Sequence, residues 1–377
     1  MKKIYFDNAA TTPLAPEVLE AMLPYLKEDF GNPSSIHSFG TKPKVAIEKA
    51  RKTIAELLNV TPSEIFFTSG GTEADNTAII QSVLSLNIKR IITSPIEHHA
   101  VEQTAIELEK RGWVKIQWLQ VNNKGQISLE ELETLLKQSD EPTLVCLMHA
   151  NNEIGTLLPL KRVAELCKTY NAYFQSDTVQ TVGHYQIDLQ AAPVDFIAAS
   201  AHKFHGPKGT GFLFVRNSIK IKPLIMGGSQ ERNMRGGTEN VAGIIGLAKA
   251  IELAHINMSH DQEYISTLKQ YTVDLLKKYI PNVSFNGESE EKGLYTILNF
   301  SLPQHPASEM MLYKLDMAGI AASSGSACNS GSNQISYVLK HIGTDTTKPA
   351  IRFSFSKYNT KQEVEHAVKI LADIYTE

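Results

Sequence analysis

Apolar residues recur along this chain with two periods, and the two alternate. Between Lys44 and Asn59 they fall at Ile47, Ala50, Ile54 and Leu57/Leu58, the spacing that lines one face of a helix. Glu64–Thr68 and Arg90–Thr93 are short runs rich in β-branched and aromatic residues, which read as strands. A helical stretch at Leu129–Leu136 precedes an apolar strand at Thr143–Met148, and a helix at Leu160–Tyr170 precedes a strand at Ala172–Asp177. The run Asp195–Ser200 and the glycine-flanked run Gly209–Val215 continue the series. Strands that alternate with helices and are apolar throughout predict an α/β body, a largely parallel sheet covered on both faces.

From about Gly243 the pattern changes. A long helix is predicted from there toward Tyr279, then strands at Leu294–Phe300 and Ala350–Ser354. A last helix opens at Thr360, with Glu363 completing a capping box and Val364, Ala367, Leu371 and Ile374 along one face. These elements predict a smaller α+β unit. The expected division is a large domain over residues 15–250 and a small one built from residues 1–14 and 251–377.

Composition narrows the partners. The chain has 377 residues, 42% hydrophobic and 20% charged, with a net charge of -3. No basic block stands out, which argues against nucleic acid or an anionic membrane as partner. No stretch reads as apolar enough to span a bilayer, and Met1–Phe6 lacks the apolar core of a secretory signal. Three widely spaced cysteines make no disulfide framework. A cytoplasmic protein is expected.

Candidate chemistry gathers at the ends of the predicted strands. Lys203 follows Asp195–Ser200, and a lysine at a buried strand end can lose solvation, drop its pKa and act as a nucleophilic amine. That is what a Schiff base with pyridoxal phosphate requires. Thr68–Thr77 runs from a strand through Gly70 and Gly71 into a helix, a junction suited to phosphate, with Thr72 as the expected N-cap. Asp177 ends an apolar strand, where a carboxylate needs a cationic partner such as a protonated pyridine nitrogen; as a plain N-cap it would need none. Of the neighbours His98 and His99, one ring could lie over a flat cofactor and move protons. Arg352 interrupts an apolar strand and could clamp a carboxylate, with Asn151 and Asn152 nearby. Cys328 sits among small polar residues in Ser323–Ser332, a context suited to a travelling thiol nucleophile, whereas Cys146 and Cys167 sit in apolar element interiors.

Taken in order, these motifs resemble those of cysteine desulfurases of the NifS/IscS group, within the class V aminotransferase superfamily. The resemblance runs through Tyr5–Pro13, Gly31–Ser35, Ser69–Glu73, Glu97-His98, His149–Gly155, Asp177–Gln180, Ser200–Lys203, Arg235–Asn240, Ser323–Cys328 and Ile351–Ser354. It implies a fold type I pyridoxal 5'-phosphate enzyme acting as a homodimer. By that analogy Lys203 bonds the cofactor, Asp177 pairs with its ring nitrogen, Gln180 with its hydroxyl, and His98 stacks on it. Gly71, Thr72, Ser200 and His202 would hold the phosphate, and Thr238 would reach the phosphate of the other subunit. Asn152 and Arg352 would bind the carboxylate of L-cysteine. Cys328, on a loop of about residues 323–334, would take the sulfur as a persulfide and leave alanine. A protein acceptor is implied, an iron–sulfur scaffold or a tRNA-thiolation protein; no resident metal is expected, beyond passing contact of Cys328 with an iron–sulfur cluster. The alternatives are an aminotransferase or selenocysteine lyase on the same fold, and a non-enzymatic sulfur carrier.

Overall fold

The computed structural model describes residues 3–306, 308–324 and 336–376. Its centre is a seven-stranded sheet, built among the described residues from β2 (Ile65–Thr68), β3 (Arg90–Thr93), β4 (Lys115–Trp118), β5 (Thr143–Cys146), β6 (Tyr173–Asp177), β7 (Phe196–Ser200) and β8 (Gly211–Val215). The strand order is β2-β8-β7-β6-β5-β3-β4, and β8 alone runs against its neighbours. The sheet is therefore mixed and mainly parallel, as the alternating periods predict. Successive side chains of a strand point to opposite faces. Accordingly Val145 joins one buried core while Leu144 and Cys146 join the other.

Helices cover both faces. α3 (Gly71–Ser85) and α4 (His99–Lys110) supply Ala74, Ala78, Val101 and Ala105 to one core. On the other side lie α2 (Ser38–Leu57), α5 (Leu129–Lys137) and α6 (Leu160–Thr169), with Ile47, Ile54, Leu132 and Val163 buried. α2 starts upstream of its periodic stretch and carries Pro43 inside.

The N-terminal strand β1 (Ile4–Tyr5) joins the far end of the chain. It pairs in parallel with β11 (Ile320–Ala321), and Asp7 bridges Ser354. β9 (Ser284–Phe285), β10 (Ile297–Ser301) and β12 (Ala350–Ser354) form an antiparallel sheet. It is backed by α10 (Lys361–Thr376), which opens with the predicted capping box between Thr360 and Glu363. α8 (Met311–Met317) and α9 (Tyr337–His341) complete this part. α7 (Val241–Tyr279) serves both regions: its residues up to Ile251 enter the core beside α2, and those from Ile265 enter the core around Phe300 and Phe353.

α7 corrects one sequence reading. By length and composition it is apolar enough to cross a membrane, the one such helix among the described residues, with a best-window mean hydropathy of 1.3 and 44% of that window buried inside the protein. Its apolar face is turned to α1 (Pro16–Lys27), α2 and α10. Lys249 and Glu252 lie within the stretch and break its uninterrupted apolar run.

A buried ion pair ties α2 to the segment after β8. Arg51 donates from Nη1 and Nη2 to the Glu231 carboxylate at 2.7 and 2.9 Å, and from Nη1 to the Ile65 carbonyl. Glu231 also accepts the Phe67 amide. Glu231, Arg232 and Asn233 all have positive φ (45°, 55° and 66°), a conformation that side-chain-bearing residues adopt only when held. Removing one member of a buried pair leaves an uncompensated charge. Glu231→Ala should therefore lower unfolding free energy by about 3–5 kcal/mol in urea titration, whereas Lys52→Ala, in an exposed pair with Glu56, should stay within about 0.5 kcal/mol.

Candidate active site

The carboxyl ends of the parallel strands converge on one place. β2 leads into Gly70 and Gly71, β3 toward His98, β5 toward Asn151 and Asn152, β6 ends on Asp177 and β7 on Ser200. Ligands of open α/β sheets collect at this edge. After β7 a single 3-10 turn, Ala201–Lys203, turns the chain. Lys203 Nζ donates to the carbonyls of Ala9 (2.6 Å) and Ala10 (2.9 Å). The same N-terminal stretch is stitched down elsewhere. Thr12 donates its amide and hydroxyl to the His202 carbonyl, His202 Nδ1 lies 3.0 Å from the Thr11 hydroxyl, and Gln180 Nε2 donates to the Ala9 carbonyl at 3.0 Å. A partly buried ammonium is thus solvated by backbone dipoles.

Asp177 is buried, and its Oδ1 accepts the Val179 amide at 2.9 Å. Burial raises its pKa, while His98 and Lys203 pull it back down, which places the three groups in one electrostatic neighbourhood. His98 is the N-cap of α4: its Nδ1 accepts the Ala100 amide at 3.1 Å. Burial pushes its pKa down. A ring with Nδ1 engaged as acceptor carries its proton on Nε2. His99 is spoken for differently: it bonds Glu102 and packs on Tyr337 with ring centroids 4.7 Å apart. Of the two adjacent histidines, His98 is therefore the one in electrostatic contact with Lys203.

The end with free helix amides is the start of α3. Gly70, not Thr72, is its N-cap, with φ at 155°, and Thr72 lies in the first turn. The sequence places a hydroxyl residue at the cap by preference, but the turn needs a conformation open to glycine. A Cβ on Gly71 would come within 2.5 Å of Val179 Cγ2, so the helix start is pressed against the segment after β6. The first amides of a helix have no partner within it, and those of Gly71 and Thr72 stand next to Ser200, whose Oγ would lie 3.5 Å from a Cβ on Gly70. His202, two residues further on, is uncharged at neutral pH because burial lowers its pKa to about 4.

Asn152 and Arg352 are brought together, but with an added partner. Arg352 is almost fully buried; its Nη1 donates to the Asn152 carbonyl at 2.8 Å and its Nη2 to Asp7 Oδ1 at 2.7 Å. Arg352 Nε and Asn152 Oδ1 are buried with no hydrogen-bond partner. Asp7 was not singled out from the sequence; the signal was a carboxylate directly after the apolar pair Tyr5-Phe6. Ser323 bridges the backbone of Arg352. Thr238 is exposed, and Arg235 just before it pairs with Glu73 on α3. Cys328 lies outside the described residues. Cys146 and Cys167 are buried, and burial raises both thiols above their ordinary pKa.

Comparison with known proteins places this geometry. Residues 4–367 match the family described as Aminotransferase class-V. A Dictyoglomus turgidum protein named cysteine desulfurase IscS is 45% identical, the match covering 99% of this chain and 94% of the relative. A solved structure titled NifS-like protein superposes with a TM-score of 0.91 at 37% identity over the whole of both chains. Another, titled SspA in complex with cysteine, gives 0.83 at 32% identity, covering 95% of this chain and all of that one.

Glu97, next to His98, yields a pH test. Its side chain is bonded to the Ser94 hydroxyl and the Met148 amide, and burial raises its pKa to about 8. The folded state holds this proton where the unfolded chain has released it. The associated stability is full below about pH 4.5 and is lost as pH rises through about 8. In Glu97→Gln the side chain is neutral at every pH, its oxygen still able to accept the Met148 amide and its nitrogen facing the Ser94 hydroxyl, so that loss is absent. Between about pH 5 and 8 the unfolding free energy of wild type should fall relative to the variant by on the order of a few kcal/mol; parallel curves would contradict the assignment.

Proposed function

The chain belongs to the class-V aminotransferase family, and we propose that it works there as a cysteine desulfurase, turning L-cysteine into L-alanine and passing the sulfur to Cys328. The observation that carries this reading is Lys203 Nζ, held by two backbone carbonyls within the electrostatic reach of buried Asp177 and His98.

Pyridoxal phosphate fits the residues present. The Gly71 and Thr72 amides, the Ser200 hydroxyl and His202 are a donor set suited to a phosphate. Asp177 offers its Oδ2 to a protonated ring nitrogen, Gln180 lies beside Lys203 to meet the ring hydroxyl, and His98 would cover the ring. Lys203 would bond the cofactor aldehyde. When bound, the group supplies an electron sink that acidifies the substrate Cα–H and weakens the C–S bond.

The chain's own residues do the rest. Arg352, whose buried Nε is a donor without a partner, binds the substrate carboxylate together with the Asn152 amide nitrogen, with Asp7 as the group it competes against. Lys203 Nζ, once released as a free amine, takes the Cα proton. His98 Nε2–H supplies a proton on the opposite side of the exchange. The Cys328 thiolate attacks the substrate sulfur. An S–S bond forms as the C–S bond breaks, its electron pair stays with the carbon skeleton, and protonation releases alanine. The outcome is a persulfide on Cys328 for a protein acceptor, such as an iron–sulfur scaffold or a tRNA-thiolation protein. In this scheme residues 15–250 hold the cofactor, and residues 1–14 and 251–377 carry the thiol. A working thiol suits a reducing cytoplasm.

A homodimer is part of the proposal. Leu26, Phe30, Ile36, Phe39 and Met226 are all more than half exposed, and exposed large apolar side chains in such number favour cover by a partner. Thr238, also exposed, would then reach the other subunit's cofactor.

Purified protein with added pyridoxal phosphate, L-cysteine and a reductant, and no 2-oxo acid, should release alanine and sulfide in equal amounts. Cys328→Ala should lower sulfide release by at least ~100-fold while keeping the yellow colour of the bound cofactor. Turnover that requires a 2-oxo acid, or survives this substitution, would overturn the reading. Sedimentation should give the mass of two chains, and Phe30→Asp with Phe39→Asp should shift it toward one.

A further inference from the structure

One buried acid has no part in that scheme. Asp75 lies on α3, one turn in from the Gly70 cap, and is 1% exposed. Its Oδ1 accepts from Gln175 Nε2 at 2.8 Å. Its Oδ2 is buried with no hydrogen-bond partner, and so is Gln175 Oε1. These leftover atoms are both acceptors, and they belong to two side chains already joined by one hydrogen bond. Two buried acceptors without donors are costly. A single proton, placed on Asp75 Oδ2, gives the pair the donor it lacks.

The surroundings favour that proton. Gln175 and Asp177 are two residues apart on β6 and so share a face of the sheet, the face that α3 covers. Asp177 and Glu97 both bear on Asp75 electrostatically, and the Cys146 thiol on β5 faces Glu97 and Asp75. Lys203 and His98 bear on Asp177 rather than on Asp75. Carboxylates crowded in an apolar layer do not all ionise.

We propose that Asp75 is a protonated carboxylic acid closed onto Gln175 as a cyclic acid–amide pair, which leaves Asp177 as the ionised carboxylate of this layer. The second clause matters to cofactor binding only if the pyridoxal reading holds; the first stands without it. Asp75 is thus a positioning residue. It fixes Gln175, and through β6 the placement of Asp177, without adding a second negative charge beneath the ring.

Infrared spectra of the holoprotein labelled with carboxyl-13C aspartate test it. Near neutral pH the wild type should show an isotope-sensitive carbonyl band of a protonated acid, which the Glu97 carboxyl cannot supply because it carries no label. Asp75→Asn should lose that band and keep pyridoxal phosphate affinity within about threefold, since an amide donates where the acid did. Absence of the band in wild type, or its persistence in Asp75→Asn, overturns the proposal. If the variant does not fold, the wild-type titration decides: the band must persist from about pH 5 to about pH 8, with and without cofactor, and its loss over that range overturns the pair. A band in protein that retains no pyridoxal phosphate supports the pair and counts against the desulfurase reading instead; a loaded protein without the band does the reverse.

Discussion

An ammonium group withdrawn from water must find other dipoles, and Lys203 finds them in a segment almost two hundred residues earlier in the chain. The Ala9 and Ala10 carbonyls accept its hydrogen bonds. Thr11 and Thr12 anchor that segment to His202 and His205. This one set of bonds explains why the first residues are small: Asn8-Ala9-Ala10-Thr11-Thr12 lets the backbone come close enough to act as the lysine's solvent. It also explains why β1 abandons the central sheet for β11, because the chain must cross from the C-terminal core to the strand edge at Lys203.

Around that cation the layer beneath is acidic. Asp75, Glu97 and Asp177 are all buried, and burial raises the pKa of each. The low dielectric magnifies both the attraction to Lys203 and the repulsion among the acids. The structure resolves the conflict by position. Asp177 feels both Lys203 and His98, whereas Glu97 is satisfied by neutral donors. The acid most able to stay ionised is the one at the strand end, where an electron-withdrawing ring would need it.

Much of the fold was legible because strand and helix periods alternate cleanly, and buried parallel strands are apolar end to end. What stayed hidden is short or set by distant partners. β1, β9 and β11 have two residues each, too few for any period, and exist because of their pairing. α7 escaped notice as an apolar span because Lys249 and Glu252 interrupt it. At the site, strand-end positions pointed to Lys203 and Asp177, and a charge interrupting an apolar strand pointed to Arg352. The same reasoning could not supply their partners. Asp7 meets Arg352, and Asp75 meets Gln175, across separations of 345 and 100 residues, so local sequence does not reveal which residue each will meet. Gly70 displaced Thr72 as the cap because backbone conformation outweighed side-chain preference there.

The central claim is that one amine, Lys203 Nζ, sits where a pyridoxal aldehyde binds. Borohydride reduction of the protein loaded with pyridoxal phosphate, followed by peptide mass mapping, tests it directly. The account predicts a single phosphopyridoxyl group, on the peptide containing Lys203, and its loss in Lys203→Ala. A label on another lysine, or none at all, would contradict it.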